Sequence, residues 1–186
     1  RECLARGQQA LVLVPEIGLT PQLARRFERR LGRHVALLHS ELSDGERTRN
    51  WLAARSGAAD VVLGTRSAVF APLMRPGLII VDEGHDASLK QHEGFRYHAR
   101  DLAVWRARRL DVPAVVGSAT PSLESLDNAR AGRYHRAVMA DRAGGAQAPA
   151  IRVVDLNRHV VDDGLSHPAR TAVAAHLDAG QQVLVY

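Results

Sequence analysis

The sequence predicts an α/β protein: a mostly parallel sheet with helices on both faces. Three observations lead there. Short runs rich in Val, Leu and Ile recur between stretches with helical spacing. Within each run the residues are apolar in succession rather than in alternation, as strands buried on both faces require. Polar and acidic residues gather where the runs end, as in LIIVDEGHD (78–86), where Leu78 to Val81 meet two adjacent carboxylates.

Taken in order, the expected strands are ALVLVP (10–15), HVALLH (34–39), DVVLGT (60–65), LIIVDE (78–83) and AVVGSA (114–119). TPQLARRFERRLG (20–32) reads as a helix, with Thr20 as N-cap, Pro21 in the first turn, Leu23, Phe27 and Leu31 on one face, and a stop at Gly32. SDGERTRNWLAARSG (43–57) pairs Ser43 with Glu46 three residues on, a capping box, and ends at Gly57. RDLAVWRARRL (100–110) and SLESLDNARAG (122–132) supply two more helices. The region 134–157 reads as two extended segments, YHRAVMA and AIRVVDL, on either side of RAGGAQAP. HPARTAVAAHLDAG (167–180) is again helical, with Pro168 near its start, and leads into the apolar QQVLVY. ARGQQALVLV (5–14) and DAGQQVLVY (178–186) share one pattern: helix end, Gly, Gln, Gln, apolar strand. A repeated helix-to-strand unit suits a chain of two similar lobes. The expected organisation is a first lobe over 1–132, a connecting segment over 133–165 and the start of a second lobe over 166–186, cut from a longer protein at both ends.

Composition narrows the class. With 186 residues, 46% of them hydrophobic and 24% charged, the chain can build one good core. It has neither an apolar run of the roughly 20 residues that span a bilayer nor a signal-like start. A cytoplasmic protein with no membrane partner is expected. One cysteine, Cys3, excludes an internal disulfide framework and a multi-cysteine zinc site within these residues. The net charge of +5 suits a polyanionic partner without requiring one. Lys90 is the only lysine, and no G-x-x-x-x-G-K-[ST] phosphate loop is present.

Burying Asp82 and Glu83 unpaired would cost several kcal/mol each. They are therefore expected at the carboxyl edge of the sheet, where α/β proteins place ligands. An aspartate there can hold magnesium, while the glutamate beside it polarises a water for attack on phosphorus. His85 follows closely, and Ser118 and Thr120 of GSAT (117–120) end the next strand with hydroxyls that can reach across to the acids. GTRS (64–67) offers Thr65 and Arg66 to a phosphate. VPEIGLTPQ (14–22) sets a turn and a helix start at the end of the first strand. In the loop 91–100, Phe95 and Tyr97 can stack on bases while Arg96 and Arg100 meet phosphates. Plainer readings stand beside these: Asp82 as a helix cap, Phe95 and Tyr97 as pins holding the loop to the core, or Asp82, His85 and Asp86 as metallohydrolase ligands.

VPEIGLTPQ, GTRS, DEGH and GSAT, in that order, resemble helicase motifs Ia, Ib, II and III of superfamily 2. DEGHDASLKQHEGFRYHARDLAVWRA (82–107) and GSATPSLESL (117–126) narrow the resemblance to the primosomal, replication-restart DNA helicases of the DEAH type. The resemblance implies a RecA-like, P-loop NTPase-type motor lobe whose Walker A strand and loop lie before residue 1. It implies an ATP-driven 3′ to 5′ motor on single-stranded DNA that acts at stalled forks in primosome assembly. Asp82 would bind magnesium and Glu83 would be the catalytic base. His85, Ser118 and Thr120 would couple hydrolysis to lobe movement. Pro15, Glu16, Thr20, Thr65, Arg66, Phe95, Arg96, Tyr97 and Arg100 would face DNA. The implied cofactors are ATP and Mg, with Zn only in a cysteine-rich module outside these residues. The implied partners are single-stranded and forked DNA, other primosome proteins and single-strand-binding protein. GQQVLVY resembles the opening strand of a second motor lobe. Gly84 stands where the family often has a larger residue, and little catalytic effect is expected from it, since that side chain has no assigned ligand role. The 186-residue piece by itself is expected to hydrolyse almost no ATP. The alternatives are another superfamily 2 DNA translocase or a catalytically silent nucleic-acid-binding module.

Overall fold

The computed structural model describes residues 1–16, 19, 21–139 and 150–185. These pack as two units, 1–136 and 137–186. In the first, strands β1 (Gln9–Leu13), β2 (Val35–Leu38), β3 (Val61–Gly64), β4 (Pro76–Val81) and β5 (Ala114–Val116) form one sheet in the order β2-β3-β1-β4-β5. Every pairing in it is parallel. All five expected strands are present, and the sheet is the parallel α/β sheet that the apolar runs predict.

The central strand β1 is buried along its whole length, which explains why its sequence does not alternate. Leu11 and Leu13 face one core together with Ala54 of α3 (Asp44–Ser56) and Ala99, Ala103 and Ala107 of α4 (Ala99–Leu110). Ala10, Val12 and Val14 face the other, with Leu4 of α1 (Glu2–Ala5) and Ala24 of α2 (Pro21–Leu31). Leu23, Phe27 and Leu31 pack onto that second core, as their helical spacing predicts. On α4 the buried positions recur every fourth residue and are all alanine, so the helix lies close on the sheet. α3 begins with the expected capping box: Glu46 N donates to Ser43 Oγ at 3.4 Å and Ser43 N to Glu46 Oε2 at 3.1 Å. It ends at Gly57, whose φ of 75° is left-handed. The expected cap Thr20 lies outside the described residues. α5 (Leu123–Arg130) follows β5 and is capped by Ser122.

Gln9 is the buried polar centre of the first unit. At 1% exposure its Nε2 donates to the carbonyls of Ala54 (3.0 Å) and Ala59 (2.7 Å). Its Oε1 accepts from the amides of Met74 (2.8 Å) and Arg75 (3.0 Å). One amide thus satisfies backbone groups from the end of α3 and from the approach to β4.

The second unit holds a short hairpin of β6 (Val161–Asp162) and β7 (Leu165–Ser166), followed by α6 (His167–Asp178). Asp163 (φ 49°) and Gly164 (φ 80°) form its two-residue turn. The sequence reading passed over this Asp-Gly, although it is a strong hairpin signal. In the segments expected to be extended, residues 135–139 and 150–155 pair in no strand, and 140–149 lie outside the described residues. QQVLVY is corrected as well, because 181–185 form no strand. Half of the repeated unit does recur. Gly7 (φ 70°) and Gly180 (φ 71°) end their helices alike, with Gln8 N bonded to Cys3 O and Gln181 N to His176 O. The strand half needs neighbours: β1 has β3 and β4 on either side, whereas 181–185 have no paired strand among the described residues.

Candidate functional site

The chain leaves β1 toward β2 on one side and leaves β4 toward β5 on the other. The crevice between the carboxyl ends of β1 and β4 is therefore the sheet's switch point, where α/β sheets bind ligands. Asp82 and Glu83 stand there and are exposed. Asp82 N makes a last ladder bond to Leu13 O at 2.9 Å. On the other side, Gly117 N bonds Val81 O and Gly84 N bonds Gly117 O, both at 2.8 Å. The acidic corner is thus wedged between β1 and β5. Glu83 takes a left-handed φ of 47°, unusual for a residue with a side chain, and its amide donates to Asp82 Oδ1 at 3.0 Å.

His85 and Ser118 join the two motifs. His85 Nδ1 lies 2.8 Å from Ser118 Oγ across 33 residues of sequence, and 3.5 Å from Glu83 Oε2. Ser118 Oγ also accepts from Thr120 N at 3.2 Å, so it links the acidic box to the following turn. Thr120 enters this cluster through its amide, not its hydroxyl. Asp86 is turned away to cap the short 3₁₀ helix Ala87–Leu89, where Ser88 holds its carboxyl below the usual range. Among the described residues no three His, Cys, Asp or Glu side chains come together to hold a metal, so the metallohydrolase set does not assemble.

Gly84 is buried, and its place in the acidic box is set by packing. A Cβ built on it would lie 2.6 Å from Val116 Cγ1, so the missing side chain is what lets β5 come close.

After the acids, the chain forms a loop closed by a bridge between Lys90 and His98 and by Gln91 N to Tyr97 O at 2.8 Å. Gly94 (φ 63°) turns its tip. Phe95 is 76% exposed, and Arg96 beside it is also exposed. Tyr97 lies beneath, with its ring 5.9 Å from Phe95 and 5.0 Å, edge-on, from Phe70. Burial raises the Tyr97 phenol, and the neighbouring Arg66 guanidinium partly offsets this. Tyr97 therefore pins the loop and Phe95 presents a free ring face.

Several DNA-facing expectations are corrected by burial. Thr65 is 4% exposed and Pro15 is buried, whereas Glu16 is exposed. Thr20 lies outside the described residues. The Arg100 side chain is 12% exposed; its Nη1 donates to Ser122 Oγ at 2.9 Å and approaches Gly84 O at 3.5 Å, while Nε donates to Asp101. Arg66 donates from Nη1 to the carbonyls of Ser88 (3.1 Å) and Lys90 (2.9 Å). Both arginines thus bind the protein itself. The sequence reading also missed Arg106, whose guanidinium holds the carbonyls of Val69 and Ala71. An arginine on the sheet-facing side of a helix, in the run WRARRL, was the available signal.

A five-stranded parallel sheet thus carries an acid pair at its switch point and a hydroxyl-bearing strand end beside it, the ligand-binding edge of an α/β lobe. The DEAD/DEAH box helicase family matches residues 2–129, and this chain belongs to that family. It is 48% identical over 185 residues to replication restart protein PriA of Haemophilus influenzae, covering 100% of this chain and 25% of that protein. It is 44% identical over 157 residues to replication restart protein PriA of Bacillus subtilis, covering 84% of this chain and 20% of that one. The chain thus spans about a quarter of the length of the relatives it matches. Among solved structures, that of RecG bound to a three-way DNA junction aligns with a TM-score of 0.45 at 28% identity, over 68% of this chain and 16% of that one.

Proposed function

We propose that this chain is the larger part of the first motor lobe of a replication-restart helicase, which couples Mg-ATP hydrolysis to 3′ to 5′ movement on single-stranded DNA at stalled forks. The observation that carries the reading is the 2.8 Å contact between His85 and Ser118, beside the paired acids. It joins the strand end that would meet the nucleotide to the one that would report its state. A catalytically silent module has no need of all these groups.

The acids suit the implied metal. Asp82 offers an exposed, hard oxygen donor at a ligand-binding edge, and magnesium sites of this kind use one or two carboxylates together with substrate phosphates. Bound there, magnesium would neutralise phosphate charge. Asp82 would hold it, and Glu83 would orient a water and take its proton. His85 would hold Glu83 and Ser118 in register, and the Thr120 amide would follow Ser118. Phe95 and Arg96 would meet a DNA strand by stacking and by charge.

The remaining parts belong to the longer protein. A Walker A loop would cradle the phosphates that this chain cannot hold by itself, and a cysteine-rich module outside these residues would carry Zn. Primosome proteins, single-strand-binding protein and a cytoplasmic location complete the proposal, on family likeness alone.

Glu83→Gln in the longer protein tests the reading. Nucleotide binding should persist while hydrolysis falls by about 10²–10⁴-fold. Near-normal turnover would reject Glu83 as the base. The 186-residue chain alone should show no DNA-stimulated hydrolysis.

A further inference from the structure

The residues after β3 form a 3₁₀ helix, Arg66–Phe70, that touches the aromatic loop at both of its ends. At its start, Arg66 Nη1 reaches the carbonyls of Ser88 and Lys90, which lead into the loop. The same guanidinium faces the Tyr97 phenol, which stands where the loop returns. At its end, Phe70 meets the Tyr97 ring edge-on. From behind, Arg106 of α4 fixes the same short helix through the carbonyls of Val69 and Ala71. One side chain therefore spans the entry and the exit of a loop whose tip carries the exposed Phe95.

We infer that Arg66 is a positioning residue that clamps the 90–98 loop in the shape presenting Phe95 to single-stranded DNA, and is not itself a phosphate ligand. The DNA part of this inference rests on the motor reading above; the clamp does not. The contacts use an oriented planar group rather than a charge alone. Nη1 meets both carbonyls from the end of a rigid planar group that also neighbours the Tyr97 phenol, whereas a lysine ammonium on its flexible stem holds no such fixed orientation. Donors already turned onto the chain's own carbonyls are not the ones a phosphate would take.

Two measurements on the full-length protein separate the clamp from the motor reading. Hydrogen exchange without DNA tests the clamp. Arg66→Ala and Arg66→Lys should each lose at least about tenfold protection at Gln91, whose amide bonds Tyr97 O. The amides of β3 and β4 should keep theirs, which reports that the fold survives. Unchanged protection at Gln91 would overturn the clamp. So would recovery of protection in Arg66→Lys, because charge alone would then suffice.

Binding of fluorescent oligo(dT) tests the role in DNA contact. Arg66→Ala should weaken binding about tenfold with the slope of log affinity against log salt unchanged. Tyr97→Phe in that background should add little, since both changes open the same clamp. A slope smaller by about 0.7, the signature of one lost phosphate contact on a single strand, together with additive effects, would make Arg66 a phosphate ligand and overturn the inference. Loss of Gln91 protection with no change in oligo(dT) affinity would confine the clamp to loop structure and refute its part in presenting Phe95. Failure of the unsubstituted protein to bind oligo(dT) would sink the motor reading, while the exchange result would still decide the clamp.

Discussion

Replacing Ser118 by alanine removes one oxygen that serves two partners, His85 Nδ1 at 2.8 Å and Thr120 N at 3.2 Å. A hydrogen bond of this kind is worth about 0.5–1.5 kcal/mol net, so losing both costs about 1–3 kcal/mol. If that cost falls on the hydrolytic transition state, each 1.4 kcal/mol is about a tenfold change in rate, and the expected loss is about 5- to 140-fold. The assay is steady-state ATP hydrolysis by the longer protein, with and without saturating oligo(dT). Ser118→Ala should lower the DNA-stimulated kcat about tenfold while the KM for nucleotide moves less than about threefold, since Ser118 orients His85 rather than binding substrate. Thr120→Ala should do far less, because the structure uses the Thr120 amide. A Ser118→Ala enzyme within about twofold of the unsubstituted rate would refute the linkage between the two motifs.

Gln9→Leu should destabilise the protein strongly. It strips partners from two carbonyls and two amides in the core, each worth about 1–3 kcal/mol when left unpaired. Even a partial cost of about 3 kcal/mol should lower Tm by about 6–12 °C, and a calorimetric shift below about 2 °C would contradict the assignment. His98 should make stability depend on pH. Burial, with Arg100 and Lys90 nearby, lowers its pKa from 6.5 against the opposing pull of Asp101 and Glu124, and its Nδ1 is buried without a partner. The folded state therefore resists a proton that the unfolded chain accepts. Stability is fully present above about pH 6.5 and declines as pH falls below it toward the lowered folded value. Denaturant midpoints measured from pH 7 down to pH 5 should fall, and His98→Gln should flatten that dependence. An unchanged slope would remove His98 as its source.

How far the sequence could be read depended on the range of the interaction. The five strands and the helices of the first unit were visible because burial on both faces writes itself into every residue of β1 and β3, and the remaining strands are short apolar runs between helical spacings. The acid pair was visible for a related reason: carboxylates next to Leu78 to Val81 can only stand at an edge. Pair contacts across long stretches were not visible. Arg66 and Arg100 look like surface cations in the sequence, and only the fold shows their donors turned onto Ser88, Lys90 and Ser122. Thr65 looked like a phosphate donor because GTRS ends a strand, yet the close packing of β3 buries it. The hairpin at Asp163 and Gly164 was legible and was missed; its flanking strands have two residues each, too few to show a period.

The tight meeting of Gly84 with Val116 makes these two positions share a single volume. A relative that carries a methyl or more at the third place of its acidic box must give up bulk on the adjoining strand or open the sheet there. The two sites should therefore vary together among relatives, one shrinking as the other grows. A homologue with large side chains at both would hold its last strand farther from the acids than this chain does.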